Sequence, residues 1–229
     1  MVGKVYCLTE PNPSKDLIEK VSGQYSTILA DPPWQFQNRT GKVAPEHRRL
    51  LRYPTMELKE IMDLPVSRLA AAKSHLYLWV PNALLMEGLK VMEAWGFTYK
   101  TNLVWYKVRK DGGPDGRGVG FYFRNVTELI LFGVRGSMRT LPAGRTQVNL
   151  FATRKREHSR KPDEIYYLIE ACSPGPYLEL FARFPQPGWH QWGNEDVEEN
   201  SVYGVAKRNG HTDAQLRLLE SPRGYKGKQ

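Results

Sequence analysis

Apolar residues in this chain fall into short blocks punctuated by proline, glycine and charge, and the blocks alternate between the strand and the helix period. Tyr25-Ser26-Thr27-Ile28-Leu29-Ala30 reads as a buried strand. It stops at Asp31-Pro32-Pro33, since two prolines cannot donate to a ladder, which predicts delivery of this motif to a sheet edge. Thr55 is the expected N-cap of a helix through Asp63, and Leu64-Pro65 starts a second short helical segment. His75 to Val80 is the next buried strand, Pro81-Asn82 turns the chain, Ala83 to Trp95 is a helix ending at Gly96, and Phe97 to Lys107 returns as a strand. That succession predicts a β-α-β unit whose parallel strands are neighbours through a right-handed crossover. Lys110 to Gly118, rich in glycine and charge, reads as a mobile loop. Glu128 to Gly133 is a further strand, followed by a basic loop carrying Arg135, Arg139 and Arg145. Lys161-Pro162-Asp163-Glu164 opens a helix through Cys172 that Ser173-Pro174-Gly175 breaks. Tyr177 to Ala182 is the last strong strand, and Trp189 to Gly193 forms one more. The predicted class is α/β, a doubly wound, mostly parallel sheet in one domain over 1–197, with a polar basic tail over 198–229.

Composition adds three points. A chain of 229 residues, 41% hydrophobic and 11% aromatic, can bury one large core. Its net charge of +9 favours a polyanionic partner, because a basic face gains affinity by displacing counterions from phosphates. Cys7 and Cys172 make no disulfide framework and no Cys-x-x-Cys pair, and the five histidines lack metal-ligand spacing, so no metal site is expected. The N-terminus has no long apolar core and no apolar run approaches the ~20 residues of a membrane span, so a cytoplasmic protein without membrane contact is expected.

Asp31-Pro32-Pro33-Trp34 carries the clearest chemistry. An aromatic exocyclic amine such as N6 of adenine is a poor nucleophile, because its lone pair is delocalised into the ring. Two hydrogen-bond acceptors can draw that amine toward tetrahedral geometry: the Asp31 carboxylate and the Pro32 carbonyl, the latter expected to stay out of the strand ladder. Trp34 is expected to stack on the base. Methyl transfer would then be an in-line displacement helped mainly by alignment. Carbon-5 cytosine methylation needs a Pro-Cys nucleophile, and neither cysteine follows a proline.

The motif has companions. Tyr53-Pro54-Thr55-Met56, Leu76-Tyr77-Leu78-Trp79-Val80, Ser159-Arg160-Lys161-Pro162-Asp163-Glu164, Leu178-Glu179-Leu180-Phe181-Ala182-Arg183 and Gly188-Trp189 with Trp192-Gly193-Asn194-Glu195 follow it in order. With Asp31-Pro32-Pro33-Trp34, this set resembles the MT-A70 family over about 25–195. The resemblance implies a Rossmann-like fold with the catalytic motif ahead of the cofactor strand, S-adenosylmethionine as cofactor, and adenine N6 methylation. By position it implies cofactor roles for Lys161, Glu179, Phe181, Arg183, Asn194 and Glu195. The segment Phe184-Pro185-Gln186-Pro187 is shorter than in eukaryotic members, and the form of the motifs is closer to the bacterial and phage branch, which favours DNA over RNA. The family's aspartate for the cofactor adenine has no clear counterpart, Asp16 being the nearest candidate.

Two basic stretches flank these motifs: Arg39, Lys42, Arg48, Arg49 and Arg52 after the catalytic segment, and Arg154, Lys155 and Arg156 before Lys161. They are the expected phosphate contacts, which position a nucleic acid without reading its sequence. The readings left open are RNA as substrate, a catalytically silent nucleic-acid-binding subunit, and a homodimer. A small-molecule acceptor is disfavoured by the basic stretches.

Overall fold

The structure, a computed structural model, describes residues 12–35, 55–115, 122–154 and 161–193, together with the backbone of Val5–Tyr6. One eight-stranded sheet organises them: β1 (Val5–Tyr6), β2 (Tyr25–Ala30), β3 (Ala70–Val80), β4 (Thr98–Val108), β5 (Thr127–Arg135), β6 (Leu150–Arg154), β7 (Tyr177–Leu180) and β8 (Trp189–Trp192), in the order β1-β8-β7-β2-β3-β5-β4-β6. All pairings are parallel except those of β5, which runs antiparallel between β3 and β4. This is the doubly wound α/β class expected from the sequence.

Side chains of successive strand residues point to opposite faces, and the core divides accordingly. Ile28, Ala30, Leu76, Leu78 and Leu180 pack with α1 (Pro13–Lys20), α2 (Leu58–Met62), α3 (Val66–Leu69) and α4 (Leu85–Ala94) through Leu17, Ile61, Val66, Val91 and Trp95. Leu29, Tyr77, Trp79, Trp105, Ile130 and Phe132 form the opposite layer with Ile165, Leu168 and Ile169 of α5 (Glu164–Cys172). β2 and β3, buried on both faces, therefore read as nearly continuous apolar runs.

Several expectations change. β2 lies between β7 and β3, so Asp31 stands at the carboxyl end of a central strand, not at a lateral edge. β3 and β4 are parallel but not neighbours, because the α4 crossover leaves a slot that β5 fills. β3 begins at Ala70, ahead of the expected start, and β1, α1 and β6 had no sequence assignment. α2 starts at Leu58, with Glu57 as its N-cap in place of Thr55; the Glu60 carboxylate accepts the Glu57 N–H at 2.8 Å. The first part of the expected mobile loop is a closed turn. There, Arg109 N–H donates to the Gly113 carbonyl at 2.8 Å, Asp115 N–H to the Lys107 carbonyl at 2.9 Å, and Asp115 is buried. Among the described residues, no helix is long and apolar enough to cross a membrane, and no cluster of His, Cys, Asp or Glu could hold a metal.

Candidate active site

Open parallel sheets bind ligands at the carboxyl ends of their strands, where loops diverge. In this sheet, Ala30 pairs with Leu180 and Leu180 with Trp192, so Asp31, Phe181 and Gly193 leave the sheet at one level. β7 stops abruptly. Phe181 has a φ of +63°, a left-handed conformation rare for a residue with a bulky side chain. Ala182 N–H then returns to the Trp192 carbonyl at 2.9 Å. Gly193 passes so close that a Cβ there would lie 1.9 Å from the Ala182 carbonyl oxygen. Backbone held in a sparsely populated region at a strand end marks a place where the surrounding structure supports strain.

Lys161, just ahead of α5, reaches back over this rim. Its ammonium lies 3.3 Å from Asp31 Oδ2 and 3.2 Å from Glu179 Oε1, with 9% of its side chain exposed. Glu179 is 1% exposed and saturated: the Tyr166 hydroxyl donates to both its oxygens at 3.1 and 3.0 Å, and Gln191 Nε2 donates at 2.6 Å. Burial lowers the proton affinity of Lys161, but Asp31 and Glu179 together outweigh it and hold the ammonium above its ordinary pKa. Burial, then the charge of Glu179, pushes the Tyr166 phenol well above its usual range, so it remains a neutral donor. Two carboxylates against one ammonium leave the cluster with one net negative charge. Asp31, at 29% exposure, is its accessible end.

The proline motif is fixed from its other side. Trp34 is 6% exposed in the core, its Nε1–H donates to the Trp79 carbonyl at 2.9 Å, and its backbone bridges to Met56. Met56 N–H donates to the Pro33 carbonyl at 3.0 Å. Trp34, expected to stack on a base, has its ring in the core and its indole N–H bonded to β3, and so anchors the loop. The Pro32 carbonyl is not free either, since it accepts the Trp34 N–H at 2.8 Å. A carbonyl oxygen has two lone pairs, so one acceptor position remains.

The structure thus brings Asp31, Lys161 and Glu179 into direct contact and places Pro32, Pro33 and Phe181 on the same rim. Glu179, expected to contact the cofactor, faces inward with both oxygens accepting from protein donors, Lys161 among them. Arg183 follows Phe181 and is half-buried, while Arg154 is exposed at the end of β6. Asp16 is fully buried, accepting from Trp192 Nε1 at 2.7 Å and pairing with Lys20 at 2.7 Å. These contacts make it a brace for β8. Asn194, Glu195, Arg39, Lys42, Arg48, Arg49, Arg52, Lys155 and Arg156, and the 198–229 tail, lie outside the described residues. Tyr166 and Gln191 were missed, although a lone Glu inside the apolar Tyr177–Leu180 run signals that buried donors must face it.

A strand-end carboxylate clamped by a buried lysine, on a mostly parallel α/β sheet with one antiparallel strand, fits a Rossmann-like group-transfer enzyme. The MT-A70 family profile matches residues 25–195, and the chain belongs to that family of adenine-N6 methyltransferases. The family uses S-adenosylmethionine as its cofactor. The chain is 28% identical to the type II methyltransferase M.MunI of Mycoplasma sp over 211 residues, covering 85% of this chain and 87% of that protein. It is 27% identical to the human N(6)-adenosine-methyltransferase catalytic subunit METTL3 over 181 residues, 76% of this chain but 29% of that protein. A Drosophila melanogaster MT-A70-like N(6)-adenosine-methyltransferase is 30% identical over 179 residues, again 76% of this chain and 27% of that protein. The chain therefore spans nearly all of the bacterial relative and under a third of either animal one.

Proposed function

We propose that this protein is an S-adenosylmethionine-dependent methyltransferase acting on adenine N6 in DNA. The observation that carries the reading is the Asp31–Lys161–Glu179 cluster, with Asp31 as its accessible end on the rim where β2, β7 and β8 terminate. S-adenosylmethionine suits this rim because its sulfonium and ammonium groups are cationic, and the three groups of the cluster carry a formal charge of about −1 between them. Phe181, Arg183, Asn194 and Glu195 would hold it, with Lys161 at its methionine end. When bound, it supplies an electrophilic methyl group.

The remaining work falls to the chain. Asp31 accepts one proton of the adenine amine and the second lone pair of the Pro32 carbonyl accepts the other, which turns the nitrogen lone pair out of the ring. Lys161, 3.3 Å away, fixes the carboxylate's orientation. Asp31 then holds the proton shed as the nitrogen gains its methyl group. Glu179, with Tyr166 and Gln191, holds Lys161 in place. Duplex substrate must first release the adenine from its stack. Arg39, Lys42, Arg48, Arg49, Arg52, Arg154, Lys155 and Arg156 supply phosphate contacts.

DNA is favoured because the chain and the type II methyltransferase cover each other almost end to end. The N(6)-adenosine-methyltransferase relatives favour RNA as the second reading. Incubation with methyl-labelled S-adenosylmethionine and duplex DNA, single-stranded DNA or RNA, followed by nucleoside separation, decides between them. We expect label in N6-methyladenine from DNA. Label from RNA alone supports the second reading, and label in neither, with cofactor binding demonstrated, refutes the enzyme.

A further inference from the structure

Tyr122 and Phe123 are 94% and 86% exposed, the most exposed of the large apolar side chains among the described residues. Aromatic surface left in water at this level calls for a partner when it is not scattered, and here two rings are consecutive. The strand that follows them is anchored at its start. Immediately after them, the Val126 carbonyl accepts Lys107 N–H at 2.8 Å, and Asn82 Nδ2 donates to the Thr127 carbonyl at 3.1 Å and to Thr127 Oγ1 at 3.2 Å. Lys107 and Glu128 pair beside them, and Trp79 Nε1–H donates to the same Glu128.

Orientation gives the pair its meaning. β5 runs antiparallel to β3, so its first residue, Thr127, lies beside Pro81-Asn82 at the carboxyl end of β3, the rim on which Asp31 stands. The segment that carries Tyr122 and Phe123 enters the sheet from that rim. It is anchored through Asn82 to the turn after β3, whose Trp79 carbonyl also anchors Trp34 of the catalytic loop.

We propose that Tyr122 and Phe123 form a stacking platform for nucleic-acid bases beside the target adenine. This rests on the nucleic-acid reading of the same rim. A base lifted toward Asp31 leaves its neighbours unstacked, and aromatic rings replace that stacking for any base, since every base offers a π-face. The chain's net charge of +9 brings the polyanion to the surface; the rings then hold bases rather than phosphates.

The test uses the full chain and fluorescein-labelled single-stranded and duplex oligonucleotides of DNA and of RNA, without a required sequence, because stacking is sequence-tolerant. A Tyr122→Ala/Phe123→Ala variant is expected to bind roughly ten- to a hundred-fold more weakly, with the slope of log Kd against log salt unchanged because no phosphate contact is lost. Cofactor affinity and melting temperature are expected to stay at wild-type values, and Tyr122→Phe/Phe123→Tyr is expected to restore binding. An unchanged Kd in a wild type that does bind overturns the platform while leaving the methyltransferase reading intact. A variant whose only change is in oligomeric state, read by light scattering, reassigns the rings to a protein contact and overturns it equally. Absence of wild-type binding to all four oligonucleotides overturns both readings.

Discussion

Replacing Glu179 with alanine removes the acceptor on which three buried donors converge: the Lys161 ammonium at 3.2 Å, the Tyr166 hydroxyl at 3.0 and 3.1 Å, and Gln191 Nε2 at 2.6 Å. Gln191 keeps a second partner in the Phe184 carbonyl at 2.8 Å, so its loss is partial. Tyr166 loses the one side-chain acceptor it has among the described residues, costing about 1–3 kcal/mol for a buried unsatisfied donor. Among the described residues Lys161 keeps Asp31 at 3.3 Å as its carboxylate partner, so no charge is left unpaired, and losing one hydrogen bond between charged groups costs about 1.5–3 kcal/mol. These terms share one network and do not add fully, so the expected destabilisation is about 3–5 kcal/mol, a large part of the stability of an ordinary domain. Glu179→Gln keeps the volume and one carbonyl acceptor and is expected to cost less. Urea unfolding at neutral pH, followed by tryptophan fluorescence, measures both variants. The same variants should lose methyl transfer more steeply than cofactor binding, since Glu179 acts through Lys161 on Asp31. A loss below about 1 kcal/mol for Glu179→Ala would refute the claim that this carboxylate holds the site together.

Two further outcomes follow. Burial lowers the pKa of His75, partly offset by its contact with the Met138 carbonyl, while its Nδ1 lies 2.8 Å from Ser173 Oγ. The unfolded chain therefore takes up a proton near the ordinary value of 6.5 before the folded one does, so stability present above that pH is lost as pH falls toward the folded pKa. A His75→Gln variant should show a flatter stability profile from pH 7.5 to 5 in urea titrations, and parallel profiles would contradict this. Trp34→Phe keeps an aromatic but smaller ring and deletes the bond to the Trp79 carbonyl; about 1–3 kcal/mol of stability should go, with a larger fall in kcat than in cofactor affinity.

The sequence made the strand ends readable, because proline ends a ladder wherever it stands, and Asp31-Pro32-Pro33 follows an apolar run without ambiguity. Strand neighbours were not readable. The β3-α4-β4 spacing implies a crossover, yet whether the returning strand lands beside β3 or leaves a slot for β5 depends on residues far along the chain. β6 escaped notice because only Phe151 of its five residues is buried, so no alternation marks it. At the site, Lys161 stood out as a cation where a helix begins, a poor place for one on electrostatic grounds, and its contacts with two carboxylates supply the reason. The inward turn of Trp34 and the saturation of Glu179 were hidden, since their partners Trp79, Met56, Tyr166 and Gln191 come from four other segments.

The central claim is that the Asp31 carboxylate grips the amine that receives the methyl group. Asp31→Asn keeps the shape of the side chain but replaces one acceptor oxygen with a donor that opposes the amine protons. Methyl transfer to duplex DNA should fall at least about a hundred-fold, the scale of losing one oriented group at a reacting centre, while S-adenosylmethionine affinity by calorimetry stays within a few-fold of wild type. Wild-type turnover by Asp31→Asn would contradict the account.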